Sequence, residues 1–145
     1  SLYTYWKRGM PPPQMTIFNA PVRDACIARR ERTNTPSQAL LLLNETEYLK
    51  AARELAEKTL LTKDSSKRLA FAYETVTSKL PDEKERKVLS GLVSSLETNY
   101  LEQPALADAV CRGVELTDAK SKAELASWTV LVNALYNLDI TKTRE

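Results

Sequence analysis

Arg29-Arg30-Glu31-Arg32-Thr33-Asn34-Thr35-Pro36-Ser37-Gln38-Ala39-Leu40-Leu41-Leu42-Leu43-Asn44 packs charge, a polar turn, a helix start and an apolar run into sixteen residues. Thr35-Pro36-Ser37-Gln38 reads as a capping box: the threonine hydroxyl accepts from the backbone N–H three residues on, and the glutamine side chain reaches back. Proline suits the first helical position, where a missing N–H costs nothing. Asn44-Glu45-Thr46-Glu47 repeats the arrangement, with asparagine as the cap and glutamate three residues later. Two helix starts so close together predict a short helix, a sharp corner and a longer helix. The four leucines between the caps are apolar on every side of one turn, so the short helix is expected to be buried all round. Arg30, Arg32 and Asn34, just ahead of it, are then expected to be tied down as well.

From Asn44 onward the apolar residues recur at helical spacing. Tyr48, Ala51, Ala52, Leu55, Ala56 and Leu60 share a face, and Leu69, Ala72, Tyr73, Val76 and Leu80 repeat it after a start at Asp64 to Ser66. Pro81-Asp82-Glu83-Lys84-Glu85 opens a further helix with acids in its first turn, its stripe running Leu89, Leu92, Val93, Leu96, Tyr100. Pro104 starts a shorter one, carrying Leu106, Ala107, Val110 and Cys111 and closed by Gly113. Ser121-Lys122-Ala123-Glu124 reads as a third capping box, leading a helix with Leu125, Trp128, Val132, Leu135 and Tyr136 on one face. The expectation is an all-α fold: one domain over residues 1–145, a bundle of five to six mostly antiparallel helices in a body from 35 to 145. Residues 1–34 form an irregular basic arm. Leu2 to Arg8 reads as one or two helical turns presenting Tyr3, Tyr5 and Trp6. Pro11-Pro12-Pro13 imposes extended backbone, and residues 9–34 show no helical period.

The length of 145 residues suits one domain, whose folding buries about 68% of the surface of the unfolded chain. A net charge of +2 is too small to predict nucleic-acid binding by itself. The charge is uneven: residues 1–32 carry six Lys or Arg against Asp24 and Glu31, while the remainder carries fifteen basic and seventeen acidic groups. Such an arm attracts an anionic partner, or its arginines bond helix ends and carboxylates of their own domain, which is the reading adopted. No stretch is long and apolar enough to span a membrane, and no signal-peptide pattern opens the chain. The abrupt start at Ser1 without methionine reads as a fragment cut from a longer protein.

The chain has no histidine, which removes the commonest general base, zinc ligand and nucleophile partner together. Cys26 and Cys111 read as two buried thiols, the alternative being one disulfide in an oxidising compartment; no CxxC or CxxCH occurs. Asp24 and Glu31 are the only acids near the arm, and salt bridges with Arg23 and Arg30 account for them. Trp128 lies on a core stripe, whereas Tyr3, Tyr5 and Trp6 suit a surface facing another domain. The candidate polar cluster is Arg23, Arg30, Arg32, Asn34, Gln38 and Asn44. No catalytic, cofactor-binding or metal-ligating residue is assigned.

Ser1-Leu-Tyr-Thr-Tyr-Trp-Lys-Arg8, Pro11-Pro-Pro13, Phe18-Asn-Ala-Pro21, Arg23 with Cys26, and Arg30-Glu-Arg-Thr-Asn-Thr-Pro-Ser-Gln-Ala-Leu40 through Leu43-Asn44 resemble the planctomycete C-terminal domain of unknown function 1553, a PSD-type domain. Trp128 and the stretch from Ala134 to Asp139, with Arg144-Glu145, are similar to the ending of that family. Two positions depart from its pattern: Asn19 stands where aspartate is usual, and Ile140 follows Asp139 where glutamate is usual. The resemblance implies a domain at the end of a large exported protein, periplasmic or secreted, with any haem on a cytochrome-c-like module elsewhere in the parent and no cofactor in this chain. Its partners would be the upstream domains of the same polypeptide, with an anionic or carbohydrate ligand as a further expectation. It points to a non-catalytic interaction or scaffolding domain; the alternative is part of a redox or polysaccharide-processing enzyme whose site is completed by upstream domains.

Overall fold

The computed structural model describes residues 5, 7, 10–21, 26, 28, 29, 33–114 and 116–142. Its described residues form eight helices and no strand: α1 Pro13–Ile17, α2 Pro36–Asn44, α3 Thr46–Leu60, α4 Ser65–Thr77, α5 Glu83–Glu102, α6 Pro104–Val110, α7 Ala119–Tyr136 and α8 Asp139–Lys142. The fold is an all-α bundle, as the helical periods require. Its axis is α7, which touches α2, α3, α4, α5, α6 and α8. Leu125, Ala126, Trp128, Leu131, Val132 and Leu135 of α7 meet Ala52 and Ala56 of α3, Leu69, Tyr73 and Val76 of α4, Val93 of α5, and Ala107 with Cys111 at α6 in one core.

The helix buried on every side is therefore α7, and this corrects the expectation for α2. Within α2 only Leu42 is inside its apolar run; Leu40 is 64% exposed and Leu43 46%. A nine-residue helix at the rim has neighbours on one flank alone, so its outer leucines face water. By contrast, no charge interrupts Leu125 to Tyr136, and such a helix fits only at the centre. Its buried hydroxyls are satisfied within the helix: Ser127 donates to the Ala123 carbonyl at 2.6 Å and Thr129 to that of Leu125 at 2.8 Å. Asn133 donates across to the Leu42 carbonyl at 3.0 Å, meeting one of the carbonyls left open where α2 ends.

The capping boxes divide. Of the three expected, only that of Thr35 forms in full; Asp82, read only as a helix opening, makes a further one, and Asp64 caps α4 through the N–H of Ser66 at 3.0 Å. Asn44 is not a cap. It is the last residue of α2 and donates to its own Leu40 carbonyl at 2.8 Å, while extended Glu45 (φ −72°, ψ 129°) makes the corner. Ser121 is not a cap either: α7 begins two residues earlier and Asp118 accepts from the Ser121 N–H at 3.0 Å. Glu124, freed from that role, pairs with Arg68 at 2.8 Å. Arg68 also donates to the Leu60 and Thr62 carbonyls, so it closes the end of α3. Leu80, expected on the α4 stripe, is 65% exposed just beyond the end of that helix. The break between α5 and α6 is one residue, Gln103, held out of helical geometry (ψ 72°) by Pro104.

Two corrections concern the arm. Pro13 opens a helix instead of continuing an extended run: Pro12 is extended (ψ 133°) and α1 follows for five residues. Cys26 is exposed; both cysteines are free and only Cys111 is buried. The predicted turns over Leu2 to Arg8 fall mainly outside the described residues; within them Met10 donates to the Lys7 carbonyl at 3.2 Å, and Tyr5 is exposed.

Candidate functional site

The arm meets the bundle at the start of α2. Helix α1 ends with Asn19 in the left-handed region (φ 49°), where the N–H groups of Asn19 and Ala20 close back on the Thr16 and Met15 carbonyls at 3.0 and 2.8 Å. Asparagine tolerates that conformation. Its side chain then donates to the Thr33 hydroxyl at 2.8 Å. The same hydroxyl accepts from Gln38 at 2.8 Å.

Gln38 is the hub. Only 2% exposed, it accepts from the Thr35 N–H at 3.1 Å and donates its second N–H to the Ile17 carbonyl at 2.9 Å. Both amide hydrogens are committed to the protein. Asn34, exposed, joins the arm to α8: it donates to Asp139 at 2.9 Å and accepts from Lys142 at 2.6 Å. Of the six residues in the candidate cluster, Gln38 and Asn34 come together at this junction, Asn44 serves its own helix, and Arg23, Arg30 and Arg32 lie outside the described residues.

Beside the junction is a hollow of about 900 Å³. Phe18, Leu42, Tyr48, Ala51 and Tyr136 supply apolar walls; Thr33, Gln38 and Thr141 supply polar atoms; Arg29 and Lys142 supply positive charge. Phe18 meets Tyr48 edge-on, ring centres 6.4 Å apart at 66°. Burial, and then the Glu45 charge, raises the Tyr48 phenol above its ordinary range; burial and then Glu54 do the same for Tyr136. At neutral pH both are uncharged hydrogen-bonding walls. No carboxylate or thiol is among the described lining residues. Among the described residues no group of three or more His, Cys, Asp or Glu is placed to hold a metal, and no helix is long and apolar enough to cross a membrane.

The family model PSD1, described as "Protein of unknown function (DUF1553)", matches residues 1–93. The chain belongs to this family. The PSD1 match takes in the arm, α1 to α4 and the first half of α5. Phe18, Thr33, Gln38, Leu42 and Tyr48 therefore fall inside it, whereas Tyr136, Thr141 and Lys142 come from the part beyond. No curated protein and no solved structure matches the chain.

Sequence reasoning placed Gln38 at a cap but not in a buried hub, and it missed the hollow. Tyr48 and Tyr136 read there as core stripe, Phe18 as part of the motif shared with the family, and Arg29 only as part of the basic excess. The one available signal was that Tyr48 and Tyr136 close or open their stripes, where a helix face leaves the core.

Proposed function

We propose that this chain is a non-catalytic helical interaction or scaffolding domain of a larger exported planctomycete protein, its partners being the upstream domains of the same polypeptide. One observation carries the reading: Gln38, Asn34 and Asn44, the described members of the polar cluster, are all bonded to the protein itself. The family resemblance supports the larger exported parent. It also supports haem, where the parent has one, lying outside this chain.

The alternative, part of a redox or polysaccharide-processing enzyme completed by upstream domains, draws on the hollow beside the arm. The commitment of Gln38, Thr33 and Thr141 to internal bonds weighs against it. The test is to add the upstream region of the parent polypeptide to the purified chain. Co-sedimentation, with a melting temperature raised by that partner, is the expected result. If the assembled pair instead turns over a polysaccharide or a redox dye, and Arg30→Ala abolishes turnover at unchanged melting temperature, the proposal fails.

A further inference from the structure

We infer that the hollow between the arm, α2, α3 and the α7–α8 end is a binding site for an amphiphilic anion, a carboxylate or sulfonate carried on an aromatic or aliphatic body. This goes beyond the interaction role and does not depend on it.

Three observations point to that class. First, the volume of about 900 Å³ lies within the range of small-molecule sites, which are mostly apolar with a few placed polar groups. Phe18, Tyr48 and Tyr136 bring rings from three separate segments to its walls, and such surfaces take flat or aliphatic bodies.

Second, the amide and threonine atoms of the wall are largely engaged, which leaves the Tyr48 and Tyr136 phenols as its neutral polar groups. Both N–H groups of Gln38 are used, the Thr33 oxygen accepts two hydrogen bonds, and the Thr141 hydroxyl donates to the Leu135 carbonyl at 2.9 Å. A neutral sugar presents hydroxyls around its whole ring, and each one enclosed without a partner is penalised. Such a ring would find two phenols here and a Gln38 amide whose hydrogens are already used.

Third, the rim carries positive charge. Arg29 is exposed, and Lys142 gives one bond to Asn34 while an ammonium has three hydrogens to donate. Among the described residues no carboxylate lines the hollow; Asp139 accepts from Asn34, Glu45 accepts from Gln14 at 2.9 Å, and Glu54 acts on Tyr136 through its charge. Apolar walls with cations at the rim complement a molecule that is greasy at one end and anionic at the other.

The test titrates the full 145-residue chain with 8-anilinonaphthalene-1-sulfonate and with its neutral parent, N-phenyl-1-naphthylamine, following fluorescence. The sulfonate is expected to bind one molecule per chain at least tenfold more tightly than the neutral dye, and dodecanoate is expected to displace it. Arg29→Gln and Lys142→Gln should each weaken the sulfonate about fivefold to tenfold, the scale of one charge-assisted contact, and leave the neutral dye unchanged. Ala51→Trp, which fills the hollow from an exposed helix position, should abolish both. Equal affinity for the two dyes, or full affinity in Ala51→Trp, or displacement by cellobiose but not by dodecanoate, would overturn the assignment. Melting curves on every variant keep loss of binding distinct from loss of fold.

Discussion

Replacing Gln38 by alanine removes three part-buried hydrogen bonds and takes away this partner of the Ile17 carbonyl and the Thr35 N–H. A buried group left unpaired costs about 1–3 kcal/mol, so the change should destabilise the domain by about 3 kcal/mol and lower its melting temperature by ~10 °C. Calorimetry checks this. The cysteines make a second contrast at this scale. Cys26 is exposed, whereas Cys111 is buried with its S–H on the Lys122 carbonyl at 3.4 Å, and burial pushes its thiol up. A thiol reagent such as dithionitrobenzoate should count one fast cysteine in the native chain and two after denaturation; two fast ones would contradict the burial. Tyr73 carries the third expectation. Burial, with the Glu85 carboxylate that accepts from its hydroxyl at 2.8 Å, pushes its phenol from 10.0 up to about 12. The raised value means that the folded state favours the neutral phenol. That contribution is complete below pH 10 and is lost as pH rises through about 12. Denaturant midpoints should fall across that window, and less steeply in Tyr73→Phe.

Among the elements, Arg68 fastens the turn between α3 and α4 to α7. It reaches the Leu60 and Thr62 carbonyls and Glu124 at once, at 3.1, 3.0 and 2.8 Å. A lysine carries the charge without the fork. Arg68→Ala should cost about 2 kcal/mol, and Arg68→Lys should recover less than half of it in urea denaturation. The caps show where local sequence was informative. The Thr35 and Asp82 boxes each sit against a proline that keeps the chain from being helical on one side, so the tetrad has one possible register. Asn44 and Ser121 carry equally good tetrads with no such break: α2 runs one residue further and breaks at Glu45, and α7 has already begun before Ser121. The amide or carboxylate then finds another partner. Nothing in four residues distinguishes a cap from the same four residues inside a helix; only the neighbouring elements decide.

For the molecule as a whole, the all-α bundle and its apolar stripes were legible because a 3.6-residue period survives in any single helix. Its centre was not. The stripe reading treated α7 as one more amphipathic helix, although the uncharged run from Leu125 to Tyr136 marked a helix that neighbours cover on all sides. The hollow was hidden for a related reason, since Phe18, Leu42, Tyr48 and Tyr136 are brought together by the packing of distant segments and share no local pattern. Because one core joins α3 to α7, Leu131→Ala should remove about 3 kcal/mol and still give a single transition seen alike by circular dichroism and tryptophan fluorescence. Separate transitions by the two signals would mean that the bundle is not one cooperative unit. The placement of α7 also bears on how the chain is made. Helices α2 to α6 leave the ribosome before the helix they pack on, so their apolar faces stay exposed until about residue 136 has been synthesised. The helix that closes the core thus appears after those it packs on, and a nascent chain halted before it would present its sticky surfaces to chaperones.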